Sequence, residues 1–257
     1  MNLETIELTK QNKIAVIKLN RPKLLNAVNE QLVWDLQKAT EDVKNDDDIR
    51  VVILVGSGRG FSAGADLSER KASWKGSKDA LIRGYKPFFE NIINMPKPVI
   101  GSVSGPAAGI GAAIAMSCDL RVMSEDSYIL SVFSNIALVP DGGLSWYLPK
   151  YMGYSKAYEH AIEAKKITAQ DCLKYGIANK VVPAEELESK TFEWAEKLAK
   201  RSSQSLSHTK RLMRDSLYVS YWDTFQNEAE IQNELTTSSQ NREAVKAFLE
   251  KREPNFD

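Results

Sequence analysis

Apolar residues come in short bursts over the first two-thirds of the chain and in long helical stripes over the last third. Residues 13–19 read Lys-Ile-Ala-Val-Ile-Lys-Leu, short and β-branched, which predicts a strand that Arg21-Pro22 stops. Asn29 is placed to cap a helix whose residues Leu32, Val33, Leu36, Ala39 and Val43 keep a 3.6-residue period. Asn45-Asp46-Asp47-Asp48 ends it as a solvated turn. The unbroken run 51–55 predicts a strand buried on both faces, opening into Gly56-Ser57-Gly58-Arg59-Gly60. A helix is expected over 79–94, broken by Pro96 and Pro98, then a strand over 99–103. Residues 105–118 are small and apolar, as in a turn feeding a tightly packed helix. Weak strands follow at 120–123 and 128–130, and Asp141-Gly142-Gly143 precedes a helix with Leu144, Trp146, Tyr147 and Leu148. From about Thr168 amphipathic helices take over, at 184–201, 205–217, 222–235 and 241–251. With no Gly-, Pro- or Ser-rich linker between the halves, we expect an α/β core over 1–195. Helices over 196–257 would then cover it or a neighbouring subunit.

Composition narrows the class. Across 257 residues, 43% hydrophobic and 26% charged is ordinary globular usage, which excludes long disorder and a membrane bundle. The 34 basic residues balance 34 acidic ones, which argues against a nucleic-acid partner held by bulk charge. The nearest basic run, Lys197-Leu198-Ala199-Lys200-Arg201, reads as a solvated helix end. Two Cys and two His exclude a disulfide framework and most Cys/His metal sites, so no metal is expected. No basic-then-apolar leader opens the sequence, and no run nears ~18 uncharged apolar residues. A cytoplasmic protein with no membrane partner is the expectation.

Two loop–helix junctions stand out as candidate chemistry. Gly56 through Asp66 follows a strand, and Ser104 through Gly111 feeds a helix. Neither is a P-loop, since the Gly-Lys-Ser/Thr ending is missing, and Gly-x-Gly-x-Gly fails the dinucleotide spacing. Free backbone N–H groups at Ala65 and Ile110 are able to point at one oxygen, the requirement of an oxyanion hole. Plain tight loops and close helix packing explain the same glycines. His160 and His208 sit in no motif, and Cys118 and Cys172 read as buried thiols. Asp141 is the acid that stands out. At a helix start it reads as an N-cap, which would lower its pKa. Amid apolar residues, desolvation would instead raise the pKa and suit proton transfer near neutral pH.

Several blocks together resemble the enoyl-CoA hydratase/isomerase (crotonase) superfamily. They are Asn20-Arg21-Pro22-Lys23-Leu24-Leu25-Asn26-Ala27, Gly60-Phe61-Ser62-Ala63-Gly64-Ala65-Asp66-Leu67, Lys97-Pro98-Val99-Ile100, and 105–119 ending Ser-Cys-Asp. The tail Ala247-Phe248-Leu249-Glu250-Lys251-Arg252-Glu253-Pro254-Asn255-Phe256 is similar too, so the likeness covers nearly the whole chain in the family's order. It implies a crotonase-like spiral of ββα units with a helical C-terminal trimerisation region, assembled as a homotrimer or dimer of trimers. It implies an acyl-CoA thioester substrate, with coenzyme A as part of the substrate and no other cofactor. Ala65 and Ile110 then match the oxyanion donors, Ile110 standing where the family usually has glycine. Lys23, Leu24, Leu25 and Ala27, with Ala63, Asp66 and Leu67, fall in the segments that hold CoA, largely through backbone groups. The family's hydratases use two glutamates, which fall here on Ala113 and Phe133, so a standard hydratase is not expected. Asp141 matches the acid of Δ3,Δ2-enoyl-CoA isomerases and of the ring-opening isomerase of phenylacetate breakdown. The resemblance thus implies a double-bond isomerase with Asp141 shuttling the proton. A hydratase, an epoxyphenylacetyl-CoA-type isomerase and a non-catalytic acyl-CoA-binding protein are the alternatives.

Overall fold

β-Branched runs become the spine of a twisted sheet. The computed structural model describes residues 2–69 and 73–256. Its strands are β1 (Ile6–Gln11), β2 (Ile14–Leu19), β3 (Val51–Gly56), β4 (Val99–Val103), β5 (Pro106–Ala108), β6 (Leu120–Ser124), β7 (Tyr128–Leu130), β8 (Ile167–Thr168) and β9 (Lys180–Val182). The larger sheet runs β1-β2-β3-β4-β6-β9, parallel except for the β1–β2 hairpin; the smaller runs β5-β7-β8. The chain alternates between the two sheets, β4 then β5, β6 then β7, with helices after each pair. This is the ββα repeat that the family resemblance implies.

The 51–55 run is buried on both faces, as its lack of alternation predicts. Val52 and Leu54 face one core, while Val51 and Ile53 face a second. Helix α1 (Glu30–Asn45) packs Leu32, Val33, Leu36, Ala39 and Val43 into the first, and Asn29 caps it by accepting from the Leu32 N–H at 3.0 Å. The single helix expected over 79–94 is instead three pieces: α2 (Ser77–Asp79), a π-helical stretch Ala80–Tyr85, and α3 (Lys86–Asn94). Pro87 has no N–H to give the Arg83 carbonyl, and the Gln37 amide takes that carbonyl at 3.2 Å and that of Gly84 at 2.6 Å.

Helix α4 (Ile110–Ser117) is wholly buried. α5 (Leu144–Met152), α6 (Tyr154–Ile162) and α7 (Ala169–Lys174) complete the core. α8 (Leu187–Ala199) lays Leu187, Ala195 and Ala199 on the second face of the large sheet and runs unbroken through 195/196, where the sequence reading divides core from tail. α9 (Ser203–Asp215), α10 (Tyr221–Thr236) and α11 (Ser239–Glu250) are each capped by a serine, Ser202, Ser220 and Ser238. α9 is tied to the core by charge: Asp119 meets Lys210 at 2.8 Å and Arg214 at 2.7 Å. Among the described residues no helix is long and apolar enough to cross a membrane.

Candidate active site

The two glycine-rich junctions are brought together. The 23–28 and 61–67 segments run side by side: the Val28 N–H donates to Gly64 O at 2.7 Å, Ala63 N–H to Leu25 O at 2.8 Å, and Asp66 N–H to Val28 O at 3.0 Å. Buried Asn26 pins the turn, its amide donating to the Ser57 and Gly60 carbonyls and its oxygen accepting from the Arg21 N–H. Asp66 is ion-paired with Arg21 at 2.9 Å, and the Ser68 hydroxyl, then Arg21, hold its carboxyl below the usual range. Its side chain therefore fastens the loop. Lys23, Leu24, Ala63 and Leu67 are exposed beside it.

Gly64 makes the close approach of the second junction possible. Its φ is +99°, and a Cβ there would lie 2.9 Å from Ala108 O. The Gly64 Cα sits 3.7 Å from where a Cβ of Gly109 would stand. Each of these glycines directly precedes one expected donor. Ile110 opens α4, so its N–H has no carbonyl one turn back, and among the described residues neither it nor the Ala65 N–H has a protein acceptor.

Asp141 resolves the alternative that the sequence left open. The N-cap position of α5 is Gly143, with no side-chain cap bond, so the carboxylate is not a cap. Its Oδ1 is instead buried without a partner, one of two such side-chain atoms among the described residues, and burial pushes the pKa up to about 6. Asp141 lines a cavity of about 610 Å3 walled by the 80–85 stretch, α3, α5 and α9. Five of the side chains on that wall are aromatic: Tyr85, Phe89, Trp146, Tyr147 and Tyr218. Burial, with the charges of Asp141 and Glu69, pushes the Tyr85 phenol up to about 12, so it stays a neutral donor. The other carboxylate on the wall, Asp215, is exposed.

Ala65 and Ile110 are not on this cavity's wall. The link between them and Asp141 is Gly142. A Cβ there would fall 2.5 Å from Ala113 Cβ and 2.8 Å from Ile110 Cδ1, so the Asp141 loop is seated directly on the start of α4. Phe133, buried at 6% exposure, reaches the same place from the other side, 3.9 Å from a Cβ of Gly109. The segments 23–27 and 63–67 adjoin the Gly64–Gly109 contact and do not line the cavity.

His160 is buried in α6 against the Lys165 carbonyl, and His208 lies on α9 beside Glu234; neither lines the cavity. Burial pushes both Cys118 and Cys172 up to about 12, as inert thiols. Nothing in the sequence marks Tyr85, Trp146 and Arg214 as wall residues. Their spacing reads as ordinary helix, and only the packing of α3, α5 and α9 joins them.

Comparison with known proteins fits this geometry. A family model described as enoyl-CoA hydratase/isomerase matches residues 9–257. A probable enoyl-CoA hydratase of Rhodobacter capsulatus is 33% identical over 256 residues, covering 100% of this chain and 99% of its own. The 1,2-epoxyphenylacetyl-CoA isomerase of Escherichia coli is 32% identical, covering 95% of this chain and 94% of its own. The crystal structure of an enoyl-CoA hydratase from Bacillus anthracis superposes with a TM-score of 0.92 at 28% identity, covering 98% of each chain.

Proposed function

The chain belongs to the enoyl-CoA hydratase/isomerase family, and on that premise we propose that it is an acyl-CoA isomerase that moves a C=C bond from Δ3 to Δ2. The observation that carries this reading is a half-buried carboxylate, Asp141, whose Oδ1 is buried without a partner on a largely apolar cavity, with Ala113 and Phe133 at the positions where a hydratase would carry its two acids. A thioester oxygen between the N–H groups of Ala65 and Ile110 would take the charge of the dienolate. One such preorganised donor is worth roughly 3–4 kcal/mol in the transition state. Asp141 removes the C2 proton, becoming a neutral acid, and returns that proton at C4, becoming a carboxylate again. One group suffices because nothing is added or lost. A pKa of about 6 leaves it ionised at neutral pH yet basic enough to act. Hydration would need a second acid to activate water, and Ala113 and Phe133 supply none. Coenzyme A enters as part of the substrate, held along the backbone of 23–27 and 63–67, and no other cofactor has a step to perform. Exposed Tyr221, Trp222 and Phe225 on α10, and Phe248 and Leu249 on α11, support a homotrimeric assembly through the C-terminal helices.

The test is Asp141→Asn, assayed for 3-enoyl-CoA isomerisation. Turnover should fall at least ~100-fold, the usual worth of a general base, with acyl-CoA affinity within a few-fold of wild type. Isomerase activity retained in that variant, or brisk hydration of crotonyl-CoA by wild type, would overturn the reading. The aromatic wall favours a second reading through the same enolate: isomerisation of a ring-bearing acyl group, as the name of the E. coli relative describes for that protein. A panel of aliphatic and aryl-acetyl thioesters separates the two.

A further inference from the structure

A second cavity, of about 500 Å3, lies beneath α9. Away from the Asp119 cluster its walls are mostly apolar, with Met116, Leu120, Leu198, Leu206 and Met213 among them. It shares four wall residues with the Asp141 cavity: Trp146, Tyr147, Arg214 and Leu217. Two of the four are fixed. Arg214 is ion-paired with Asp119 at 2.7 Å and donates to Ser117 O at 3.0 Å, and buried Tyr147 leans on Arg214 through its hydroxyl. The side chains of the other two make no hydrogen bond or ion pair among the described residues. Trp146 is held by its ring faces alone, stacked on Tyr218 at 5.7 Å, edge-on to Tyr147 at 4.9 Å, with Lys150 Nζ 4.7 Å from its centroid.

We propose that Trp146, backed by Leu217, is the stop that ends the acyl site, and that the chamber under α9 is space which this stop denies to longer acyl tails. This inference rests on reading the Asp141 cavity as the acyl site. A tail growing away from Asp141 meets the indole and Leu217, while the fixed Tyr147–Arg214–Asp119 chain closes the rest of the partition. Beyond it lies apolar surface that a hydrocarbon would bury favourably. Removing the indole should therefore nearly double the space open to the tail. Because the residues past the stop touch neither Asp141 nor the donor loops, chain length should be adjustable there without altering the chemistry.

The experiment measures the affinity of saturated hexanoyl-CoA and dodecanoyl-CoA, so its result does not depend on which reaction the enzyme performs. Wild type should bind the two within a few-fold of each other. Trp146→Ala should shift the preference toward dodecanoyl-CoA by at least about tenfold, since even one methylene in an apolar pocket is worth about 10-fold or more. Leu217→Ala, at a half-exposed position that folding tolerates, should shift it the same way. Leu206→Trp, which fills only the second chamber, should leave wild-type binding unchanged and cancel the gain in the Trp146→Ala background. A wild type that already prefers dodecanoyl-CoA tenfold, or folded Trp146→Ala and Leu217→Ala variants with unmoved preference, would overturn the stop. So would a gain that survives Leu206→Trp. Failure of hexanoyl-CoA to bind at all would remove the acyl-site reading, and the stop with it. Loss of isomerase activity with the affinity pattern intact would remove only the proposed reaction.

Discussion

Burying the Asp141 carboxylate should cost stability that an asparagine gives back, and the refund should depend on pH. The ordinary value of 3.8 rises to about 6 because burial disfavours the charged form, with no partner to offset it. The folded state therefore holds an extra proton between about pH 4 and 6. Stability from this group falls as pH rises through that window, and the whole penalty remains above it. At about 1.4 kcal/mol per pH unit the gap amounts to nearly 3 kcal/mol; partial contact with cavity solvent reduces that to roughly 1–2 kcal/mol. Asp141→Asn keeps the shape and removes the charge. In urea unfolding at fixed protein concentration, the variant should exceed wild type by roughly 1–2 kcal/mol at pH 7.5, and by about half as much at pH 5. The amide meets the same unpartnered surroundings, so the pH dependence of the difference is the diagnostic quantity. A difference that is the same at both pH values, or larger at pH 5, would refute the claim that the carboxylate is desolvated. The more stable protein should be the inactive one, as expected where a site is held in a strained electrostatic state for function.

Two further outcomes follow from the same geometry. The kcat/KM of wild type should fall tenfold per unit below about pH 6, where Asp141 takes up its proton, and level off above it; a limb near pH 4 would mean a carboxyl in water. Gly142→Ala should disable the enzyme, because φ is +60° there and the new Cβ would meet Ala113 Cβ at 2.5 Å. We expect roughly 1–3 kcal/mol of lost stability from overpacking and about 100-fold in kcat from a displaced Asp141. Adding Ala113→Gly should recover part of both, and full activity in Gly142→Ala alone would mean that the loop does not sit on α4.

Much of the core was legible because its periodicity is clean. The five apolar positions of α1 all face the first core, and the unbroken 51–55 run is sandwiched between two cores as its lack of alternation demands. Elements that escaped the sequence reading depend on distant partners. β1 alternates weakly, with only Ile6 buried, and owes its existence to pairing with β2. β5 starts with a proline inside a glycine-rich turn and is a strand because Pro106–Ala108 pairs with Tyr128–Leu130. β8 has two residues, too few for any pattern to register. The proposed oxyanion donors are a different case. A backbone N–H has no side-chain signature, so the glycine-rich junctions offer Ala65 and Ile110 as donors but equally fit plain tight loops, and the resemblance tips the choice; the contact between Gly64 and Gly109 brings the two junctions together.

Asp141 shows where local rules run out. Asp-Gly-Gly ahead of an apolar helix has two solutions. In one, the helix starts at the first glycine and the carboxylate caps it, charged and satisfied. In the other, both glycines take positive φ, the helix starts at Leu144, and the carboxylate is carried away from the free N–H groups. The chain takes the second, with φ of +60° at Gly142 and +91° at Gly143. Nothing within the three residues decides between them, because glycine adopts either backbone at little cost. The decision comes from across the fold, where Gly142 fits against Ala113 and Ile110 with no room for a side chain on either partner's account. A glutamate at position 113 would have to leave through the space that Gly142 occupies. The small residue at 113 and the unpartnered Oδ1 of Asp141 thus belong to one packing arrangement, and under the proposed function a chain built this way places its base by giving up the position from which a second acid would act.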